Sequence, residues 1–103
     1  TTSDGAPAYG PVVTSLTTRG DTSPGSVLAV DRYPADRRLH YTRGITFDSG
    51  AVARAVRGGR GVVVIHGVDY NGNGEYDFES GTSDLDASLP AEATDPAVCA
   101  VLR

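Results

Sequence analysis

The most hydrophobic run of the chain is Gly61-Val62-Val63-Val64-Ile65-His66-Gly67-Val68, and Asp69-Tyr70-Asn71-Gly72-Asn73-Gly74-Glu75-Tyr76-Asp77 follows it directly. Four successive β-branched residues pack well on a pleated, buried surface, so the run predicts a central β-strand. The second stretch alternates polar side chains with glycines, which predicts a loop. A core strand should therefore lead straight into a polar loop, called here the 69–77 loop.

Other segments also have the composition or the period of strands. Strands are predicted at residues 11–18, 26–33, 39–47, 61–68 and 97–102, with an arm or loop at 1–10, a turn at 34–37 and an acidic loop at 79–97. Asp48 and Ser49 offer an N-cap for one short helix at about 49–57, which Gly58 ends. The predicted fold is mostly β, a Greek-key-like sandwich or partial barrel of about five strands with one short helix.

Length and charge limit the function. The 103 residues predict a single domain, 1–103, with a small hydrophobic core. Residues 1–60 hold eight arginines and five acids, whereas residues 61–102 hold eight acids and no arginine or lysine. Such an acidic half suits cation binding and argues against nucleic acid, whose phosphates need a basic surface. No apolar run reaches the ~18 residues that a membrane span needs.

Composition also indicates an origin. The chain has no methionine, which predicts a processed product or an excised domain. It has no lysine and is rich in arginine, alanine, glycine, aspartate and valine, which is typical of a GC-rich, actinobacterial-type genome. The single cysteine, Cys99, is interpreted either as a buried thiol or, in a secreted protein, as one half of a disulfide to a cysteine outside this chain.

The 69–77 loop has the ligand spacing of a calcium site. Asp69 stands at position one of the D-x-[DN]-x-[DN]-G pattern, and Gly74 supplies the sharp turn at position six. Ca²⁺ takes six to eight hard oxygen ligands, and alternate side chains of a tight loop converge on one centre. The predicted ligands are Asp69, Asn71, Asn73, the backbone carbonyl of Glu75, and Asp77.

The motif is incomplete, so a second interpretation stays open. Position twelve is Ser80 rather than the bidentate glutamate of an EF-hand, and no amphipathic helix flanks the loop. A closing carboxylate would come from Glu79, Asp84 or Asp86, among which the sequence does not choose. The alternative is a plain turn, because Asn-Gly pairs such as Asn71-Gly72 are favoured in tight turns.

Two stretches of the C-terminal third resemble the Cu,Zn superoxide dismutases. Residues 61–69 are similar to the apolar strand that ends in a metal-binding histidine of that family, and Val98-Cys99-Ala100-Val101-Leu102 is similar to its C-terminal end. Nearly the whole chain also resembles the C-terminal part of secreted actinobacterial proteins with a CHRD-type domain, which is thought to be related to the dismutase sandwich. This resemblance runs through Tyr9-Gly10-Pro11-Val12, residues 16–24, Asp31-Arg32-Tyr33-Pro34, residues 66–77 and Leu89-Pro90-Ala91-Glu92-Ala93-Thr94.

The dismutase resemblance implies a copper or zinc site at His66 and an intrachain disulfide from Cys99 to an upstream cysteine. The chain departs from that family, because His40 and His66 are its only histidines and the upstream His-x-His pair and second cysteine are absent. If the resemblance holds, the chain corresponds to the later part of a longer domain. The earlier strands would come from a missing upstream segment or from the second copy in a homodimer. Without the resemblance, His66 is predicted to be a structural histidine that hydrogen-bonds the loop backbone. His40 is predicted to be exposed.

Three interpretations of function follow. The first is a secreted, acidic, metal-binding β-domain without its own catalysis, in which structural calcium stiffens the 69–77 loop for an extracellular binding or envelope-associated role. The second is a dismutase-like copper or zinc domain that uses His66 and ligands outside this chain. The third is a metal-free interaction module. No nucleophile–base pattern accompanies Cys99, so no catalytic residue is predicted.

Overall fold

The strand predicted at 61–68 is present and pairs with the strand predicted at 97–102. In the computed structural model, which describes residues 1–34, 38–47 and 49–102, strand β1 spans Val62–His66 and strand β2 spans Pro96–Val101. They form a two-stranded antiparallel sheet, in which Val64 lies opposite Cys99. The register shifts between Ile65 and His66, so the regular ladder ends just before the 69–77 loop begins.

The helix predicted at about 49–57 is confirmed. Helix α2 spans Gly50–Arg57, and the Ser49 hydroxyl accepts a hydrogen bond from the backbone N–H of Ala51 at 3.1 Å. The helix ends at Gly58, whose N–H donates to the carbonyl of Arg54 at 2.9 Å. A serine cap and a terminal glycine are local signals, and here they decide the boundaries.

Two further helices lie where loops are predicted. Helix α1 spans Thr2–Tyr9 and α3 spans Ala91–Thr94. The Asp84 carboxylate accepts hydrogen bonds from the first N–H groups of α1, at 3.4 Å from Thr2 and 2.8 Å from Ser3. Those N–H groups have no partner inside the helix, so a carboxylate from far along the chain completes the cap.

The predicted five-strand sandwich or partial barrel is wrong. Residues 11–18, 26–33 and 39–47 form no strand, and the single sheet in the described part of the chain has two strands. Residues 26–33 instead begin at the last residue of the short 3₁₀ helix Pro24–Ser26 and contain a second one, Val30–Arg32. The N–H groups of Ser26, Val27, Ala29 and Arg32 each donate to the carbonyl three residues back, so local turns make the backbone hydrogen bonds that a strand would make with a neighbour.

Residues 39–47 are predicted as a strand because Leu39, Tyr41, Ile45 and Phe47 occupy alternate positions, with Arg43 the exception among them, but side chains hold this stretch in the structure. Arg43, the exception on their apolar face, donates to the carbonyls of Thr17 at 2.8 Å and Gly20 at 2.6 Å. The Tyr41 hydroxyl donates to the same Thr17 carbonyl at 3.0 Å. The proposed cap at Asp48 and residues 35–37 of the predicted turn lie outside the described residues.

The buried centre of the protein is polar. Among the described residues, Ala91 is the one buried hydrophobic residue. The buried polar residues are Ser15, Thr17, Ser26, Ser83, Glu92, Thr94 and Asp95. Three of these lie in α3 or directly after it, so the hydrophobic core expected from chain length is replaced by a hydrogen-bonded centre around α3. This centre adjoins the 69–77 loop.

Candidate metal site

Asp69 organises the first half of the 69–77 loop. Its Oδ1 atom accepts hydrogen bonds from the backbone N–H groups of Gly72 at 2.9 Å and Asn73 at 3.2 Å, and its Oδ2 from Gly74 at 2.7 Å. Gly72 and Gly74 have φ angles of 69° and 85°, which residues with a Cβ rarely adopt. A carboxylate has about four acceptor positions, so Asp69 keeps about one for a further partner.

The other predicted ligands gather at Asp77. The Nδ2 atoms of Asn71 and Asn73 both donate to Asp77 Oδ2, at 3.0 Å and 2.6 Å. Asn71 Nδ2 also donates to Glu79 Oε2 at 2.8 Å, and Glu79 N–H donates to Asp77 Oδ1 at 3.0 Å. Glu75 joins the same loop through its N–H, which donates to Asn73 Oδ1 at 2.9 Å. The loop therefore draws two amides and two carboxylates together.

These hydrogen bonds change the acidity of Asp77. The amide of Asn71, followed by the backbone N–H of Glu79, lowers the pKa of Asp77 from 3.8 to about 2. Hydrogen-bond donors that face a carboxylate stabilise its charged form, so Asp77 stays ionised at neutral and mildly acidic pH. The amide hydrogens therefore offset part of the negative charge that a bound cation would neutralise.

The structure separates the three proposed closing carboxylates. Glu79 shares the Asn71 amide with Asp77 and so belongs to the loop. Asp84 caps helix α1, and the Ser3 hydroxyl there lowers the pKa of Asp84. Asp86 accepts hydrogen bonds from the N–H and hydroxyl of Ser88 at 2.9 Å and 2.7 Å, which closes a local turn. Only Glu79 of the three is bonded to a predicted ligand.

Glu92 is the residue of this region that sequence reasoning missed. Its side chain is fully buried, and its Oε2 and Oε1 atoms accept hydrogen bonds from the backbone N–H groups of Tyr70 at 2.7 Å and Asp77 at 2.9 Å. Its own carbonyl accepts from the N–H of Val68 at 2.8 Å. Glu92 thus fastens both ends of the loop to α3. The one available signal was an acidic residue in a stretch without arginine or lysine.

Tyr70 ties the loop to a second buried carboxylate. Its hydroxyl donates to Asp95 Oδ2 at 2.8 Å, and this hydrogen bond raises the pKa of Tyr70. The Oδ1 atom of Asp95 is buried and has no hydrogen-bond partner in the described part of the chain. The loop therefore rests on two buried acids, Glu92 and Asp95.

The residues implied by the dismutase resemblance are placed separately from the loop. The Nδ1 atom of His66 donates to the carbonyl of Thr94 at 2.6 Å, which holds the end of β1 against α3. His40 is exposed, with its Nε2 atom 3.4 Å from the Thr42 hydroxyl. Cys99 is a free, exposed thiol on β2.

The donor set of the loop fits a hard cation better than copper or zinc. Among the described residues, no three histidine, cysteine, aspartate or glutamate side chains are grouped to hold a metal ion. The loop offers carboxylates at Asp69, Asp77 and Glu79 together with the amide oxygens of Asn71 and Asn73. All are oxygen ligands, which suit calcium, whereas zinc and copper favour imidazole and thiolate.

Comparisons with models of protein families, with curated proteins and with solved structures gave no match. The resemblance to CHRD-type domains and to dismutases therefore stays a prediction from the residues quoted above. In the described part of the chain, every helix is too short or too polar to cross a bilayer.

Proposed function

We propose that the protein is a secreted domain whose 69–77 loop binds calcium and whose ion is structural. The observation that carries this proposal is the organisation of the loop around Asp69, whose carboxylate collects three successive N–H groups. A loop already folded around its first ligand loses less conformational entropy when an ion binds. The ion would be held by Asp69, Asn71, Asn73, the Glu75 carbonyl and Asp77, with Glu79 as the closing carboxylate.

The ion would supply positive charge to a region that lacks it. Residues 61–102 carry eight acids and no arginine or lysine. Repulsion among the carboxylates near the loop opposes its compact form, and a divalent cation would remove that repulsion. Because Glu92 fastens the loop to α3, stiffening the loop would also stiffen the neighbouring end of β1.

The expected affinity supports an extracellular role. The proposed site lies at the surface, with Asp69 and Asp77 half-buried and Glu79 exposed, and these three carboxylates would move together around the ion to supply its charge. Extracellular calcium modules bind with Kd values of about 10⁻⁴ to 10⁻³ M, weaker than intracellular sensors. A site of this kind is filled where calcium is millimolar, outside the cell. We infer an extracellular binding or envelope-associated domain without its own catalysis.

The test is thermal unfolding with and without calcium. At 10 mM Ca²⁺ and a Kd near 10⁻⁴ M, the expected gain is about 2.7 kcal/mol. For a domain of this size, that gain raises Tm by roughly 10 °C or more. EDTA should reverse the shift, and Mg²⁺ at the same concentration should give a smaller one, because it dehydrates reluctantly and demands octahedral geometry.

Two variants distinguish the loop from general acidity. Asp69→Ala should abolish the calcium shift, because it removes the first ligand and the acceptor of three N–H groups. Asp86→Ala is the matched control, since that carboxylate serves a local turn with Ser88, and it should keep the full shift. An equal calcium response in both variants would show that the 69–77 loop is a plain turn.

A further inference from the structure

Two Asn-Gly pairs stand in the 69–77 loop, Asn71-Gly72 and Asn73-Gly74, and both asparagines are exposed. In such a pair the backbone nitrogen of the glycine can attack the side-chain amide carbon of the asparagine, because a glycine has no Cβ to obstruct the approach. The attack closes a succinimide ring and releases ammonia, which makes asparagine one of the thermolabile residues. It needs a base that takes the glycine proton and a donor that stabilises the negative charge developing on the amide oxygen.

The carboxylate of Asp69 is placed to take that proton from either glycine. Its Oδ2 atom accepts the hydrogen bond of Gly74 N–H at 2.7 Å, and its Oδ1 atom accepts that of Gly72 N–H at 2.9 Å. A group within hydrogen-bond reach of the proton it removes meets the geometric requirement for a general base. Oδ1 also accepts from Asn73 N–H at 3.2 Å, so Oδ2 is the less occupied oxygen and Gly74 is the favoured attacking residue.

The amide oxygen of Asn73 has a better donor than that of Asn71. Asn73 Oδ1 accepts a hydrogen bond from the backbone N–H of Glu75 at 2.9 Å. Asn71 Oδ1 accepts from the N–H of Asn73 at 3.3 Å, and that N–H also donates to Asp69 Oδ1 at 3.2 Å. A longer, shared hydrogen bond stabilises developing charge less, so attack on Asn73 meets the lower barrier.

The leaving nitrogen of Asn73 also has fewer hydrogen bonds to break. Asn71 Nδ2 donates to Asp77 Oδ2 at 3.0 Å and to Glu79 Oε2 at 2.8 Å. Asn73 Nδ2 donates, among the described residues, to Asp77 Oδ2 alone, at 2.6 Å. Departure of ammonia therefore breaks two hydrogen bonds to carboxylates at Asn71 and one at Asn73. The contacts of the proton, the oxygen and the leaving nitrogen all favour the same asparagine.

We propose that Asn73 is a self-modification site, which the folded loop converts to aspartate or isoaspartate. The Gly74 nitrogen bonds to the side-chain carbon of Asn73 while its proton passes to Asp69, and the bond from that carbon to the amide nitrogen breaks. The amide nitrogen takes up the proton and leaves as ammonia. Water then opens the ring at either carbonyl, so the whole reaction consumes one water, releases one ammonia and changes no oxidation state. The product has lost the amide that donates to Asp77 and carries one more negative charge.

The test follows each asparagine in the calcium-free protein, kept with EDTA at physiological pH and temperature. Mass spectrometry records the exchange of NH₂ for OH, and fragmentation of the 61–103 tryptic peptide assigns it to a residue. Asn73 should react at least about fivefold faster than Asn71, and faster than Asn73 in the guanidinium-denatured chain, where the contacts of the loop are absent. Equal rates at the two asparagines, or a folded chain slower than the denatured one, overturn the proposal. Neither result bears on calcium binding, because no calcium is present.

Two variants test the role of Asp69. Asp69→Asn keeps the size of the side chain and removes the base, so it should slow the reaction at Asn73 at least about tenfold. Asp86→Asn is the matched control, since the Asp86 carboxylate bonds to Ser88, and it should leave the rate at Asn73 unchanged. A rate that Asp69→Asn does not lower, or that both variants lower equally, refutes the proposed reaction.

Discussion

The Oε1 atom of Glu92 accepts a hydrogen bond from the backbone N–H of Asp77 at 2.9 Å, although the two residues are 15 positions apart. The second carboxylate oxygen of Glu92 accepts from Tyr70 N–H at 2.7 Å. One buried side chain thus fixes both ends of the 69–77 loop. The loop is a supported structure rather than a free excursion of the chain, which is the condition for ligands to stay aligned.

Replacing Glu92 should therefore destabilise the fold. In Glu92→Gln one acceptor becomes an NH₂ donor that faces a backbone N–H, so at least one buried hydrogen bond is lost. We expect a loss of about 1–3 kcal/mol in the free energy of unfolding, measured by urea titration. Glu75→Gln makes the same chemical change at an exposed side chain and should alter stability by less than about 0.5 kcal/mol. Similar losses in both variants would contradict the anchoring role.

Any residue with a Cβ at position 67 should destabilise the fold. The φ angle of Gly67 is 110°, and an added Cβ would collide with the Tyr76 hydroxyl. Backbone strain at this φ is the main cost of Gly67→Ala, because the exposed Tyr76 side chain can move aside, so we expect a loss of about 1–2 kcal/mol in the free energy of unfolding. Gly44→Ala is the control, since a Cβ there meets no atom within 4 Å. Thermal unfolding of the two variants should give a lowered Tm for Gly67→Ala alone.

Arg43 should not be replaceable by lysine. Its guanidinium donates to the Thr17 carbonyl, the Thr17 hydroxyl and the Gly20 carbonyl, a fork that one ammonium group does not reproduce. We expect Arg43→Lys to lower the free energy of unfolding by about 1.5–3 kcal/mol, the range for a hydrogen bond to a charged group. Arg54→Lys, on the exposed side of α2, should be close to neutral. Denaturant unfolding checks both, and a neutral Arg43→Lys would contradict the assignment.

Asp77 should titrate far below an ordinary aspartate. Its pKa in the folded protein is about 2, against 3.8 for the free side chain. Because the folded pKa is depressed, the stabilisation that Asp77 provides is complete above about pH 4 and is lost as pH falls towards 2. Carbon-detected NMR of the carboxyl group in calcium-free buffer should show the low midpoint.

The Asn71 amide should contribute most to the lowered pKa of Asp77. Asn71→Ala removes the amide that contributes most to lowering the pKa of Asp77, so the midpoint should rise towards 3.8. A midpoint of 3.8 or higher in the unchanged protein would mean that the Asn71 and Asn73 amides do not hold Asp77 as the structure shows.

Local signals predicted the elements whose boundaries are set by neighbouring residues. The β-branched run became β1, and Ser49 with Gly58 bounded α2 as expected. Residues 39–47 show the limit of such signals. Their alternation is real, but a strand forms only where a neighbouring strand offers hydrogen bonds, and Arg43 and Tyr41 bind carbonyls of the 17–20 turn instead.

For the candidate site too, part could be predicted from local sequence and part required the folded chain. Spacing alone proposed Asp69, Asn71, Asn73 and Asp77 as ligands, because alternate positions of a tight loop face a common centre. Only the folded chain shows that Glu79 contacts the loop while Asp84 and Asp86 bond elsewhere, since all three are acids close to the loop in sequence.

The sequence by itself determined the strand that leads into the loop, the cap and end of α2, and the order of carboxylates and amides along the loop. These depend on residues a few positions apart, whose geometry the backbone transmits directly. The tertiary structure alone decided that Glu92 anchors the loop, that Asp84 caps α1, and that three predicted strands find no neighbour. The contacts of Glu92 and Asp84 join residues 15 to 82 positions apart. The chain must close long loops to form them, so no local pattern encodes them.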